Sequence, residues 1–390
     1  MPRLILLLFI VSCTISKLWC EDSTKVKPKV EIGGALRFNY NLSTWKPEQV
    51  KRGGDLGFDV FRINAKGTYK NLSLDGEMRF YSAVFGGPML KQGWVQYDFS
   101  SKNNIQLGLI QVPFGNLRYN SYSWFFSVNY YVGLEDDHDM GLKYTHVDDN
   151  WEYALAFFKN AEEYSFGNLS DISSSRYAYD VSSIDVDGDG NLEYRNKEVN
   201  QINGQLNRKF TTGQAKHRLG MSGMFGGLLN LDTKNIGSHY AFDLHYMLKI
   251  KRFGFKAQFS NYKYNPKTPN GESSDVIAMA AYGAPYLVSA QGNTYTAGVS
   301  YKVPIKSELI DALEFYNDFG YLDKLNADFE ATMMNVTGVL VSAGPLYVYT
   351  DFALGKNQPW LGGLWTTGLA GGDVSADWHM RFNVNVGYYF

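Results

Sequence analysis

The densest oxygen donors in this 390-residue chain stand in two runs. In the first, Asp185, Asp187 and Asp189 alternate and are followed by Asn191 and Glu193, with a glycine at position 190. Carboxylates at alternate positions converge on one hard cation, the glycine admits a sharp turn, and Asn191 offers its backbone carbonyl, so the run predicts a structural Ca2+ site. The position that supplies a bidentate glutamate in strong calcium loops is Asn196 here, and no helical pattern flanks the run. An Asp/Gly-rich turn accounts for the same residues. The second run, Glu135-Asp136-Asp137-His138-Asp139, holds four carboxylates in five residues. Beside a narrow aqueous passage it would draw cations and repel oxyanions; otherwise it is a solvated loop.

Catalytic chemistry finds less support. The six histidines, at 138, 146, 217, 239, 245 and 379, form no His-Glu-X-X-His pair, and no Gly-X-Ser-X-Gly nucleophile turn is present. His239 and His245 share a strand face but stand about 20 Å apart at the strand rise, too far for one metal. The chain is expected not to be an enzyme, to have no catalytic residues, and to need no cofactor beyond structural Ca2+.

Composition narrows the class. With 37 Lys+Arg against 39 Asp+Glu the formal charge is -2, which offers no electrostatic footprint for nucleic acid. At 45% hydrophobic and 19% charged residues the chain is too apolar to remain disordered. Residues 1–20 read as an export signal: Arg3 is the charged region, Leu4 to Val11 the short apolar region, and Glu21 begins an abruptly polar stretch. Both cysteines, Cys13 and Cys20, lie inside that segment, leaving 21–390 as one domain without a thiol. A large exported domain with no disulfide suits a bacterial envelope protein. Trp19 fits poorly as the small residue before a cleavage site, which argues against Cys20 as a lipidated terminus.

The elements that position these residues are strands. Ile32, Gly34, Leu36, Phe38 and Tyr40 alternate with Glu31, Gly33, Ala35, Arg37 and Asn39, and the same period of two recurs along the chain. Tyr240, Phe242, Leu244, Tyr246, Leu248 and Ile250 alternate with His239, Asp243, His245 and Lys249. A soluble sandwich alternates too, but these segments run to about ten residues and carry Tyr, Phe and Trp toward their ends, as in barrels whose apolar band is flanked by aromatic girdles. About sixteen segments fit between Val30 and Phe390, so the predicted fold is all-β, an antiparallel up-and-down transmembrane barrel in the Gram-negative outer membrane. Closure is required, because an unpaired backbone N–H or C=O in hydrocarbon costs several kcal/mol. Lys209 to Gly213 and Lys251-Arg252 read as turns, and 115–137, 160–195 and 265–285 as long loops. Arg37, Arg79, Lys249, Lys256 and Arg381 fall on lumen-wall positions, mixed with acidic residues, which predicts weak ion selectivity.

At the end of the chain Val386, Tyr388 and Phe390 face one way, while Asn385, Gly387 and Tyr389 face the other. A terminal Phe behind such alternation resembles the insertion signal read by the outer-membrane assembly machinery. The expected function is therefore a porin, a water-filled channel for passive diffusion of small hydrophilic solutes or ions. Alternatives are a barrel with a binding or enzymatic role and a secreted β-sandwich adhesin.

The run Leu107-Gly108-Leu109-Ile110-Gln111-Val112-Pro113-Phe114-Gly115 resembles the strand and Pro-Phe-Gly turn of the phosphate-selective porin O and P family. That resemblance implies a sixteen-stranded barrel, often a homotrimer, whose third loop folds into the lumen and narrows the pore. It would place Arg118, Tyr119, Tyr122, Glu135, Asp136, Asp137 and Asp139 at the constriction. Only Arg118 among them is basic, which departs from the arginines and lysines that coordinate phosphate in the family. The aromatics from Tyr119 to Tyr131 are expected chiefly to pack the loop against the wall.

Overall fold

The computed structural model describes residues 26–162, 175–185, 193–269 and 272–390. Sixteen antiparallel strands close on themselves, each paired with its neighbour in sequence and the last with the first. In chain order they are β1 Lys29–Ser43, β2 Asp55–Tyr69, β3 Leu72–Phe80, β4 Pro88–Asp98, β5 Asn103–Gln111, β6 His138–Val147, β7 Trp151–Ala161 and β8 Asn196–Thr212. The second half comprises β9 Ala215–Asn230, β10 Ile236–Ile250, β11 Phe253–Asn265, β12 Gln291–Pro304, β13 Ala312–Lys324, β14 Thr332–Ala343, β15 Leu346–Lys356 and β16 His379–Tyr389.

Alternation forms these strands because each side chain meets one of two solvents. In β10, Tyr240, Phe242 and Leu244 are exposed on the outer face, whereas His239, Asp243 and His245 are buried inside. The outer residues Leu155, Ile202, Phe225 and Phe315 are likewise half or more exposed, which in water would be an apolar patch far larger than monomers tolerate. Against lipid the same surface is matched to its surroundings. Exposed Tyr97, Phe99, Trp151, Phe210, Phe253, Tyr301 and Tyr388 gather near the short turns as an aromatic girdle. The chain is thus a multi-pass transmembrane β-barrel of the outer-membrane type. Among the described residues no helix is long and apolar enough to cross a membrane.

The start of β1 and the end of β16 lie at the end of the barrel that carries the short turns, the periplasmic end in outer-membrane barrels. Closure runs from Ala35 opposite Tyr389 to Ser43 opposite Arg381. It is extended by Gly34 N–H donating to the Phe390 carbonyl at 2.8 Å and Phe390 N–H to the Gly34 carbonyl at 3.1 Å. Val386, Tyr388 and Phe390 point outward, and Asn383 and Asn385 are buried inside. One expected turn is shorter than predicted: Lys209 to Thr212 belong to β8, with Thr212 opposite Ala215, so the turn is Gly213 and its neighbour alone. Charged and small residues at a strand end, where the sheet leaves the lipid, look like turn residues in sequence.

At the other end, long connections fill much of the lumen. Asp180–Val181 pairs with Val276–Ala281, which pairs with Ala284–Ser289. Val288 bridges to Leu369 in the 357–378 connection. This small sheet packs Ile277, Met279 and Tyr286 against Tyr130, Tyr131 and Tyr179, an apolar core inside the barrel.

Candidate functional site

The segment 112–137 leaves β5 and meets side chains of the opposite wall. Gly115, at φ +67, donates its N–H to Ser222 Oγ of β9 at 2.9 Å and accepts from Gln205 Nε2 of β8 at 2.8 Å. A left-handed φ suits glycine, and the Gln258 side chain lies where a Cβ would sit. Asn116 N–H donates to Gln258 Oε1 of β11 at 3.0 Å, and Asn120 Nδ2 to Thr296 Oγ1 of β12 at 2.6 Å. Asp318 of β13 then accepts from Tyr122 N–H at 2.9 Å and Ser123 N–H at 2.6 Å. Beyond it, Trp124 lies under the Arg37 guanidinium of β1 at 4.4 Å and against Tyr349 of β15. The segment therefore runs along the inside of the wall, with partners on β8, β9, β11, β12 and β13, before returning to β6.

Two cavities lie on either side of it. The larger, of about 1380 Å³, opens toward the loop end and is walled by nineteen aromatic side chains, with Arg37, Lys46, Arg62, Arg79 and Arg381 against Asp55, Asp59 and Glu314. The smaller, of about 1060 Å³, opens at the short-turn end. Eight Lys and Arg side chains line it, among them Lys249, Lys251, Arg252 and Lys302, against Asp149 and Glu314. Tyr122 and Glu314 line both cavities, so the two spaces adjoin there. Lys256 fixes that junction: its ammonium stands 4.3 Å from the Tyr122 ring and donates to the carbonyls of Tyr119 and Ser121, each at 2.9 Å. Wall glycines 254 and 298 make room for the Tyr122 ring, since a Cβ on either would meet it.

The lumen-wall residues expected from the sequence divide between the two spaces. Arg37, Arg79 and Arg381 line the aromatic cavity, Lys249 and Lys256 the basic one. Arg37 pairs with Asp59 at 2.8 Å, and Arg79 with Glu77 at 2.6 Å while lying 4.3 Å from the Tyr177 ring. Of the residues expected at the constriction, Tyr119 lines the aromatic cavity and Tyr122 both cavities, whereas Arg118 is exposed and lines neither.

The acidic run departs from its expected place: Glu135, Asp136, Asp137 and Asp139 line neither cavity and are all buried. Glu135 accepts from Asn120 N–H at 2.8 Å and from Ser127 Oγ at 2.5 Å, tying the loop to itself. Burial pushes its carboxyl up to about 7 against these bonds. Asp136 accepts from Lys91 Nζ and Tyr177 OH, both at 2.7 Å. Asp137 and Asp139 turn instead toward Glu162 and Asp180. All four carboxylates are thus turned away from both cavities. Lys91, buried beside Asp136, had no mark in the sequence beyond its place on an inward strand face. The expected calcium run, Asp185 to Glu193, has no described side chain; Asp187, Asp189 and Asn191 lie outside the described residues, as does the 1–20 segment.

No protein-family model matches the chain, and no curated protein does. Solved structures do. The chain is similar to an anion-selective porin from Comamonas acidovorans at 13% identity, covering 93% of this chain and 100% of that one with a TM-score of 0.58. It is similar to the outer membrane channel DcaP of Acinetobacter baumannii at 10% identity, 94% and 99% coverage and a TM-score of 0.57. A trimer form of OmpT, an outer membrane protein of Vibrio cholerae, matches at 15% identity, 94% and 100% coverage and a TM-score of 0.53. At these identities the likeness establishes the fold, a sixteen-stranded outer-membrane barrel of the kind found in porins.

Proposed function

We propose that this chain is a porin that passes small hydrophilic solutes through a lumen narrowed at Tyr122, with a preference for anions. The observation that carries the reading is that Tyr122 and Glu314 line both cavities, so the two spaces adjoin beside Lys256, and the passage we propose runs between these three side chains. With the acidic run buried, the mobile field in the lumen comes from the wall. Eight basic side chains against two acidic ones raise the local anion concentration and lower the cation concentration at the short-turn mouth. The preference is for anions as a class; no cluster of arginine forks of the kind that cages phosphate stands at the junction, so selectivity for phosphate is not part of the reading. The porin likeness of the neighbouring structures and the trimer form of one support a channel and a homotrimer. The 1–20 segment, by the same reading, directs export, and Phe390, Tyr388 and Val386 present the outward face read during assembly.

The test is single-channel recording from detergent-purified protein in planar bilayers under a KCl gradient. Stable steps with an anion-directed reversal potential are expected, and phosphate is expected to shift the conductance no more than chloride replacement does. A folded barrel without conductance would remove the porin reading.

A further inference from the structure

We propose that Asp137, Asp139, Glu162 and Asp180 form a Ca2+ site that ties three separate stretches of chain together at the loop end of the barrel. One carboxylate oxygen from each lies within 4.8 Å of the others, and all four residues are buried. Oxygens on opposite sides of one Ca2+ at its usual bond length are about 4.6 to 5.2 Å apart, so the four can share one ion with small adjustments. Ca2+ accepts six to eight oxygen ligands in irregular arrangements, whereas Mg2+ keeps several waters and uses one or two carboxylates; four converging buried carboxylates suit the former.

The remaining valences of these side chains are already taken by donors that aim them. His138 N–H donates to Asp137 Oδ1 at 2.8 Å, Gln201 Nε2 to Asp139 Oδ2 at 3.2 Å, and the N–H groups of Tyr177 and Ala178 to Glu162 Oε1, both at 3.1 Å. Their other oxygens, Asp139 Oδ1 and Glu162 Oε2, are buried without a hydrogen-bond partner. Oriented ligands backed by backbone N–H groups are how metal sites are held.

A second observation comes from outside the four. His239 is fully buried, neither ring nitrogen has a hydrogen-bond partner, and Nδ1 stands 3.6 Å from Glu198 Oε1, the carboxylate next to Asp180. An imidazole without a hydrogen-bond partner and a fifth carboxylate thus stand beside the four. The cation paired with the cluster in the described structure is Arg176, with Nη1 at 3.3 Å from Asp180 Oδ2. One guanidinium does not balance five buried carboxylates, and isolated buried charge is costly.

The ion would join the exit of the 112–137 segment, the start of β6, the end of β7 and the 175–185 stretch, and so hold the small inner sheet onto the loop that shapes the passage. This site shares no residue with the 185–193 run.

The experiment uses folded, detergent-purified protein treated with EDTA and then titrated calorimetrically with CaCl2, together with the temperature at which its heat-modifiable gel mobility changes. Bound Ca2+ should raise that temperature, and Mg2+ at the same concentration should not. Glu162→Gln should weaken Ca2+ binding by about tenfold or more, since even outer-shell partners carry that much. The double variant Asp187→Asn with Asp189→Asn, which disarms the other run, should leave the binding in place. Wild-type protein that takes up no Ca2+ overturns the proposal, whether or not Glu162→Gln folds. So does loss of binding in the Asp187/Asp189 variant with retention in Glu162→Gln. Neither readout depends on channel activity.

Discussion

The two cavities carry their positive charge in opposite ways. On the loop side Arg37, Arg79 and Arg381 are held by aromatic faces, and the first two also by carboxylates within 3 Å. At the short-turn mouth one pair is made among the described residues, Arg218 with Glu152 at 3.0 Å, and Lys249, Lys251, Arg252 and Lys302 stand without one. A paired guanidinium stacked on a ring is a structural part whose field is largely cancelled at a distance. Unpaired lysines on a wet wall are field sources. The comparison teaches that counting charges along the lumen is insufficient; which of them are already neutralised decides what an ion meets.

The contrast can be broken first at the loop that separates the cavities. Asp318→Ala removes the carboxylate that accepts from Tyr122 and Ser123 N–H groups. At about 1.5 to 3 kcal/mol for each hydrogen bond to a charged group, this is the largest effect expected, seen as a higher, noisier single-channel conductance and a lower unfolding temperature. Next comes Lys249→Glu with Lys302→Glu, which should turn the reversal potential toward cations while leaving the unfolding temperature nearly unchanged. The same exchange at Arg37 should instead destabilise the barrel, because it leaves Asp59 beside a like charge. Third, Trp124→Ala removes the ring under Arg37 and should cost about 0.5 to 2 kcal/mol, with a smaller rise in conductance.

The smallest effect lies in the 148–150 turn, whose Asp148 accepts from Trp151 and Asn150 N–H groups. These bonds, and then His146, hold its carboxyl at about 2, below the ordinary 3.8. A depressed carboxyl stabilises the fold above its unfolded value and loses that contribution as pH falls through the folded one. Amide exchange at Asn150 and Trp151 should therefore quicken between about pH 4 and pH 2, and Asp148→Asn should remove the step.

Much of the wall was legible in the sequence. Alternation in segments such as 239–250 reflects a lipid side and a lumen side directly, and the residues read as inward in β1, β3, β10, β11 and β16 are the ones that line the interior. The contents of the lumen were not legible. Asp136 finds Lys91 and Tyr177, both more than forty residues away, while Asp137 and Asp139 find Glu162 and Asp180. A dense acidic run reads as solvated because its partners come from other loops, and no local period reports them. The 357–378 connection leaves no local sequence signal for a similar reason: Trp360 and Trp365 take their place through hydrogen bonds to Tyr179 and the Pro285 carbonyl, contacts that belong to the assembled loops.

The central claim is that unpaired wall lysines and arginines, with the acidic run buried, set the sign of the field in the passage. Its most direct test is the reversal potential of the wild-type channel under a KCl gradient at about 0.1 M and again at about 1 M, where the screening length falls from roughly 10 Å to 3 Å. The account predicts an anion-directed potential that shrinks at the higher salt. A cation-directed potential at low salt would contradict it and return the carboxylates of residues 135–139 to the pore.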